Sequence, residues 1–271
     1  MDDYRSHNRA YWNQLAASHP ATPFYKADAF RRGENTLDPI ARERVGDIAG
    51  KRLLHLQCHF GLDTLSLARM GAVVTGLDFS PVAIKTARAL SRETGVPAEF
   101  IEADVLNPPN GLSGFDIVFA SWGALLWIGD LAAWMRTAAH ALKPGGCLLL
   151  LEGHPAMVML ANDRAAPDAP FTVCLPYNSD EPLVQTETDG TYADPSAVLG
   201  SLTTVVWLHG LERILMSAIG AGFTIRKFEE LDRIPWLGLP QLVKADEFYW
   251  TLPEGAPFFP LAFALEAVRE R

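Results

Sequence analysis

The sequence is short of cysteine, of positive charge and of long apolar runs, and each shortage excludes a class of protein. Its three cysteines, Cys58, Cys147 and Cys174, are odd in number and far apart. This pattern predicts reduced thiols in an intracellular, cytoplasmic protein rather than a disulfide framework. The 23 Lys and Arg residues face 32 Asp and Glu residues, for a net charge of −9. That balance disfavours a nucleic-acid partner, because such binding depends on cations that contact phosphates.

The longest apolar stretch, residues 115–135, is interrupted by Asp116, Gly123, Gly129 and Asp130. No run of about 18 apolar residues remains, so we predict no membrane span and no membrane partner. The first residues lack the basic-then-apolar pattern of a signal peptide. A chain of 271 residues that is 49% hydrophobic is instead typical of one large globular domain with a modest addition.

Between residues 51 and 154, short apolar runs alternate with amphipathic helical stretches. The pattern predicts strands at 51–56, 73–77, 98–103, 115–120 and 147–151, with helices after the first, second and fourth of them. Ser80 and Pro81 supply the N-cap and first position of the second helix. Strand–helix repetition with short connections predicts a doubly wound α/β fold with a parallel sheet.

Ligands of such sheets bind beyond the carboxyl ends of the strands, so polar residues at those ends are the first candidates. Asp78 ends the second strand, and its carboxylate can accept both hydroxyl hydrogens of an adenosine ribose. A turn or N-cap aspartate is the alternative, but Ser80 already supplies the cap. Asp104 ends the third strand and can accept from the adenine amine, with an Asx-turn as its alternative.

The loop after the first strand lacks the glycines of a dinucleotide fingerprint. Gln57, His59 and Leu62 occupy the three glycine positions, which disfavours pyrophosphate binding and therefore an NAD-dependent oxidoreductase. A nucleoside cofactor without a pyrophosphate tolerates side chains there. Cys58 and His59 have no second ligand pair at zinc spacing, so no metal site is predicted.

Taken together, these residues resemble the class I S-adenosylmethionine-dependent methyltransferases. The first loop is similar to that of a bacterial small-molecule subgroup, although His55 stands where an acidic residue is usual. The resemblance covers residues 53–152 and depends on five strings: Leu53-Leu54-His55-Leu56-Gln57-Cys58-His59-Phe60-Gly61, Gly76-Leu77-Asp78-Phe79-Ser80, Glu102-Ala103-Asp104, Phe115-Asp116-Ile117-Val118 and Leu142-Lys143-Pro144-Gly145-Gly146.

The resemblance implies a Rossmann-like seven-stranded sheet whose last strand is antiparallel, with S-adenosyl-L-methionine as cofactor and S-adenosyl-L-homocysteine as product. It implies four segments. Residues 1–50 form an N-terminal helical lid, 51–154 the cofactor-binding core and 155–205 a small cap insertion. Residues 206–271 complete the sheet and include a substrate-side loop at 232–257.

The same resemblance implies the site residues. We expect the Gln57 amide to hold the methionine end of the cofactor, and the lid aromatics to cover it, although those aromatics can equally serve to pack the lid on the core. The predicted cofactor contacts are Tyr11, Trp12, Tyr25, Gln57, His59, Gly61, Asp78, Phe79, Ser80, Asp104, Val105 and Ser121.

Two histidines are candidate catalytic bases. His154 directly follows the fifth strand and would overlook the position of methyl transfer. His209 opens a later helix and would reach the pocket from the cap side. For each, a structural histidine bonded to the backbone is an equal alternative.

The predicted function is transfer of the sulfonium methyl group to an N, O or C nucleophile of a small molecule by in-line SN2 displacement. The alternative is a non-catalytic S-adenosylmethionine-binding sensor or scaffold, which the altered first loop favours. Residues 120–123 lack the Asp/Asn-Pro-Pro-aromatic string typical of nucleic-acid methyltransferases. The acceptor's identity and the oligomeric state remain open.

Overall fold

The structure, a computed structural model, describes residues 4–160 and 166–270. The first three residues of the predicted lid, residues 161–165 of the predicted cap and residue 271 lie outside the described residues. The helices are α1 (Tyr4–Ser18), α2 (Ala27–Arg31), α3 (Pro39–Val45), α4 (Leu62–Arg69), α5 (Pro81–Thr94), α6 (Leu131–Ala141), α7 (Pro155–Val158) and α8 (Leu211–Gly220).

The strands are β1 (Arg52–Leu56), β2 (Val73–Asp78), β3 (Glu99–Glu102), β4 (Phe115–Ser121), β5 (Leu142–Gly153), β6 (Leu183–Asp189), β7 (Val198–Val206), β8 (Phe223–Leu231), β9 (Arg233–Ile234), β10 (Val243–Lys244), β11 (Trp250–Thr251) and β12 (Ala262–Arg269).

The central sheet has seven strands in the order β3-β2-β1-β4-β5-β12-β8. Strands β1 to β5 run parallel, and β12 lies antiparallel between β5 and β8. The predicted seven-stranded sheet with an antiparallel last strand is therefore confirmed. The strand order reverses between β1 and β4, which is where an open α/β sheet places its ligand.

Apolar side chains bury both faces of this sheet. One face packs around Trp134 of α6, and the other around Phe119 of β4, and both side chains are fully buried. Runs such as Leu148–Leu151 are buried along their whole length, as expected of a strand that is covered on both faces. Four of the described helices, α3, α5, α6 and α7, begin at side-chain caps. Ser80 accepts from the Ala83 N–H at 3.0 Å, which confirms the predicted cap of α5.

The lid and the cap contact each other. Within the cap, β6 and β7 form an antiparallel pair. α1 packs on β7 and on α5. The Asn8 amide donates to the Val205 carbonyl and accepts from the Val205 N–H, each at 2.8 Å, so helix and strand are tied by two buried hydrogen bonds.

Some predicted boundaries were wrong. β5 begins at Leu142, five residues before the predicted start, because Leu142 already pairs with Phe115 of β4. Segment 232–257 was predicted as a loop but contains the three-stranded sheet β10-β11-β9. Strands of two residues are too short to produce an alternating pattern. Across the described ranges, no helix combines the length and apolarity that a membrane crossing requires.

Candidate functional site

A cavity of about 610 Å³ lies over the carboxyl ends of β1, β2 and β4. The loops that follow these strands form its floor, the lid covers it, and the segment after β8 closes one side. Lining residues include the predicted contacts Tyr11, Trp12, Tyr25, Gln57, His59, Gly61, Asp78, Phe79 and Ser121. A volume of this size is typical of a site for a small molecule.

The loop between β1 and α4 follows a left-handed path at alternate residues. The φ angles of Gln57, His59 and Gly61 are 54°, 51° and 76°. Only the third is a glycine, and a left-handed conformation costs an L-residue about 1–2 kcal/mol. A Cβ on Gly61 would lie 2.6 Å from the Phe100 ring, so this position also lacks space for a side chain. The loop thus has, at Gln57 and His59, a backbone conformation that favours glycine, although both positions carry polar side chains.

Gln57 is anchored within the protein. Its Nε2 donates to the Ala124 carbonyl at 2.9 Å, and its Oε1 accepts from Trp134 Nε1 at 2.8 Å. The amide therefore ties the end of β1 to α6 and to the turn after β4. Each end of the amide keeps one further donor or acceptor position, and Gln57 lines the cavity, so its contact with the methionine end of a cofactor stays a prediction.

Asp78 lies on the cavity floor and shapes the first loop. Its Oδ2 accepts from the His59 N–H and its Oδ1 from the Ser80 N–H, each at 2.8 Å. Burial raises the pKa of Asp78 to about 6, although the backbone N–H groups act in the opposite direction. Each oxygen retains acceptor capacity for a hydroxyl group in the cavity.

Ser80 does not line the cavity, contrary to prediction. Its hydroxyl caps α5 and donates to Asn13 of α1 at 2.6 Å. The side chain is fully buried between the two helices, which leaves it no exposure to a ligand.

Asp104 and Val105 also lie outside the cavity lining. Asp104 Oδ1 accepts from the Leu106 N–H at 2.8 Å, the Asx-turn that was the alternative interpretation. Its other oxygen pairs with Arg5 Nε of α1 at 2.8 Å. Val105 is buried in the core. The predicted adenine contacts are thus covered by α1 in this arrangement.

Neither predicted catalytic histidine faces the cavity. His154 caps α7, where its Nδ1 accepts from the Ala156 N–H at 3.1 Å, and its Nε2 lies 3.1 Å from a Glu230 oxygen. His209 Nε2 lies 2.8 Å from the Ile128 carbonyl. Both rings are buried, and burial lowers the pKa of each. The structural alternative describes both residues.

His59 of the first loop pairs with a second histidine, His19, which the sequence did not reveal as its partner. His19 Nδ1 is 3.1 Å from His59 Nε2, and neither His19 Nε2 nor His59 Nδ1 has a hydrogen-bond partner among the described residues. Burial lowers the pKa of His19 to about 4 and keeps His59 neutral as well. The hydroxyls of Tyr25 in the lid and Tyr192 in the cap meet beside them. No local sequence signal links these residues, since their contacts span separations of 40 and 167 positions.

Glu152 organises the turn after β4 from its place near the end of β5. Its carboxylate accepts from the N–H groups of Gly123, Ala124 and Leu125 at 2.8, 2.7 and 2.9 Å. Burial raises the pKa of Glu152 to about 7, against the effect of those donors. In the sequence, only the position of Glu152 at a strand end marked it as a candidate site residue. That position did not indicate which backbone N–H groups its carboxylate would bind.

Two further carboxylates, Asp38 and Asp63, line the cavity. Asp38, the N-cap of α3, accepts from Trp122 Nε1 at 2.9 Å and from the Tyr249 hydroxyl. Asp63 lies in the first turn of α4 near Ser121, whose hydroxyl acts to lower the pKa of Asp63. Burial and the nearby charge of Asp38 raise the pKa of Asp63 to about 7.

His55 of β1 also lines the cavity. Its Nδ1 lies 2.9 Å from the Thr64 hydroxyl, and burial lowers its pKa to about 3. A neutral ring therefore occupies the position where an acidic residue is usual in the family that the sequence resembles.

Comparison with known proteins places these features in a family context. Residues 53–146 match a family model described as a methyltransferase domain. The matched segment runs from β1 into β5 and contains the first loop and Asp78. It does not include the lid, the cap or the strands β8 and β12.

Two named relatives match about half of the chain or less. A ubiquinone biosynthesis O-methyltransferase from Xanthomonas euvesicatoria pv. vesicatoria is 35% identical over 147 residues, which cover 52% of this chain and 61% of the relative. One from Methylobacterium sp. is 36% identical over 109 residues, covering 40% of this chain and 42% of the relative. The chain thus spans less than two thirds of the length of these relatives.

Solved structures extend the likeness to the whole fold. An S-adenosylmethionine-dependent methyltransferase from Mesorhizobium loti is 20% identical, with a TM-score of 0.55 over 88% of this chain and 100% of that chain. At this identity the likeness concerns the fold alone.

Proposed function

We propose, from the premise that the chain carries a class I S-adenosylmethionine-dependent methyltransferase domain, that the whole protein transfers a methyl group to a small molecule. The observation that carries the proposal is the position of the cavity. It opens over β1, β2 and β4 at the point where the strand order reverses, and the first loop and Asp78 form its floor.

The residues on that floor fit the cofactor. The Asp78 oxygens accept the ribose hydroxyls, and the orphaned Nδ1 of His59 offers a further polar contact at the same face. Tyr11, Trp12 and Tyr25 cover this part of the cavity and exclude water from it. When bound, S-adenosylmethionine supplies a methyl group on a positively charged sulfur, which the neighbouring aromatic faces stabilise.

The acceptor side of the cavity favours a compact, largely apolar molecule. Trp122, Trp127 and Trp236 line it, whereas Trp207, Tyr249 and Trp250 do not. These indoles orient the acceptor against the floor. Such positioning lowers the free-energy barrier of methyl transfer by roughly 7–11 kcal/mol. A small-molecule partner, no nucleic-acid partner and a cytoplasmic location complete the proposal.

An acceptor screen tests this function. Purified protein is incubated with S-adenosylmethionine and a panel of phenols, alcohols, amines and carbon acids, and release of S-adenosylhomocysteine is measured. We expect turnover with at least one small aromatic acceptor and none with DNA or RNA. Cofactor binding with no turnover on any member of the panel would contradict an enzymatic role.

A further inference from the structure

Among the described residues, four carboxylates line the cavity: Asp38, Asp63, Asp78 and Glu247. Asp38 accepts hydrogen bonds from three donors. Asp78 accepts from two backbone N–H groups, and Glu247 pairs with Lys26 at 2.9 Å. Asp63 has only the Ser121 hydroxyl acting on it as a hydrogen-bond donor, although a carboxylate has about four acceptor positions. Among the carboxylates that line the cavity in the described ranges, Asp63 therefore has acceptor positions left for a substrate O–H or N–H group.

Three other titratable groups of the cavity are poorly suited to take a proton from a substrate. The pKa of His55 is lowered to about 3, and its Nδ1 is paired with Thr64. His59 faces His19, and its pKa is also lowered. Burial raises the pKa of Tyr25 well above its usual value, so that its phenol keeps its own proton.

Asp63 is also well placed. Helix α4 begins directly after Gly61 of the first loop, and the Asp63 side chain reaches across to Ser121 at the end of β4. It therefore lies in the cavity between the two strand ends where the strand order reverses. Among the residues that the structure describes, no Lys, Arg or His forms an ion pair with it.

We propose that Asp63 is the catalytic base that takes the proton from the O–H or N–H group of the methyl acceptor. The inference rests on the proposed function and names its acceptor class. The groups that face Asp63 are the Asp38 carboxylate from the loop before α3, the Ser121 hydroxyl from β4, Tyr25 from the lid and Tyr192 from the cap. None of these carries a positive charge that would hold Asp63 permanently ionised.

The acceptor gives its proton to the Asp63 carboxylate, and the electron pair of the broken O–H or N–H bond stays on the acceptor. An acceptor lone pair forms the new bond to the methyl carbon while the carbon–sulfur bond breaks and its electron pair remains on sulfur. Asp63 then returns the proton to water. Because burial and Asp38 raise its pKa to about 7, the ionised carboxyl is a base matched to neutral pH.

The test compares Asp63→Asn with Asp28→Asn, a matched control in the first turn of α2 whose side chain is 85% exposed. S-adenosylhomocysteine binding is measured by calorimetry, and turnover is measured with the best acceptor from the screen. We expect Asp63→Asn to keep the Kd within about threefold but to lose about 100-fold or more in kcat, the range of a general base. KM should change little, and the rise in kcat with pH through about 7 should disappear.

Two further readouts separate the base from a structural role. In protein labelled with ¹³C at the aspartate carboxyls, a resonance that titrates near 7 should be missing from Asp63→Asn. Asp63→Glu, which keeps a carboxyl, should recover part of kcat and its pH dependence. The proposal is overturned if Asp63→Asn keeps kcat and its pH profile, or if the accepted compounds are methylated only at carbon or carboxylate oxygen. A native protein that fails to bind S-adenosylhomocysteine would instead overturn the proposed function.

Discussion

Replacement of Glu152 by Gln tests whether one carboxylate holds the turn after β4. Glu152 is buried and accepts from three backbone N–H groups. In the variant, the amide oxygen can take the place of Oε1 and keep the bonds from Ala124 and Leu125. The amide nitrogen then faces the Gly123 N–H, so two donors point at each other.

The cost follows from that one mismatched pair. A buried N–H without an acceptor costs about 1–3 kcal/mol. We therefore expect a loss of about 2 kcal/mol in the free energy of unfolding. For a domain of this size, that loss corresponds to a fall in Tm of about 4–8 °C.

Urea and thermal unfolding measure the loss, with Glu102→Gln as the matched control. Glu102 also ends a strand of the central sheet but is exposed. We expect its replacement to change the free energy of unfolding by less than about 0.5 kcal/mol. Equal stability of native protein and Glu152→Gln would refute the role assigned to the carboxylate.

Three other predictions concern Asp78, His19 and Gly61. Asp78→Asn should weaken S-adenosylhomocysteine binding about 10–100-fold in calorimetry, because hydrogen bonds to a charged group contribute about 1.5–3 kcal/mol. Since the pKa of Asp78 is raised to about 6, native affinity should rise with pH through that value, and a flat profile would contradict the ribose contact. The pKa of His19 is lowered from 6.5 to about 4, so the stability that its neutral ring contributes is full above 6.5 and is lost as the pH falls from there towards 4. His19→Gln should flatten this dependence in urea titrations, and an unchanged slope would exclude His19 as its source. Gly61→Ala should cost about 3 kcal/mol, since the new Cβ combines left-handed strain with a 2.6 Å approach to Phe100. Gly95→Ala, which is left-handed but has nothing within 4 Å, should cost only about 1 kcal/mol, and equal losses would show that packing at Gly61 is unimportant.

The sequence predicted the parallel core well because strand and helix signals there are local. The run Leu148–Leu151 and the Ser80 cap each carry enough information to place an element. The antiparallel last strand came from the family resemblance instead, since pairing between β5 and β12 joins residues far apart in the chain.

The site was predicted in part. Asp78 and the first loop lie on the cavity as expected, because strand ends of a parallel sheet meet at one edge. The protein partners of Gln57 were not predicted, because the sequence gave no sign that Trp134 and Ala124 would pair with its amide. Asp104 was assigned to adenine for the same reason, with Arg5 as its partner in the structure.

The contacts between the lid and the cap were beyond sequence reasoning. Tyr192 of the cap lies beside His19 and Tyr25 of the lid, and α1 packs against β7. A buried contact between distant segments depends on the packing of whole elements, which no local pattern encodes. His154 and His209 were chosen by their positions along the chain, and the fold directed both rings away from the cavity.

The most direct test of the account is calorimetric titration of the stripped protein with S-adenosylhomocysteine, with NADH in a parallel experiment. The account predicts one site per chain with a Kd on the order of micromolar for S-adenosylhomocysteine and no heat from NADH, because the first loop lacks the glycines that a pyrophosphate needs. Binding of NADH, or no binding of S-adenosylhomocysteine, would contradict it.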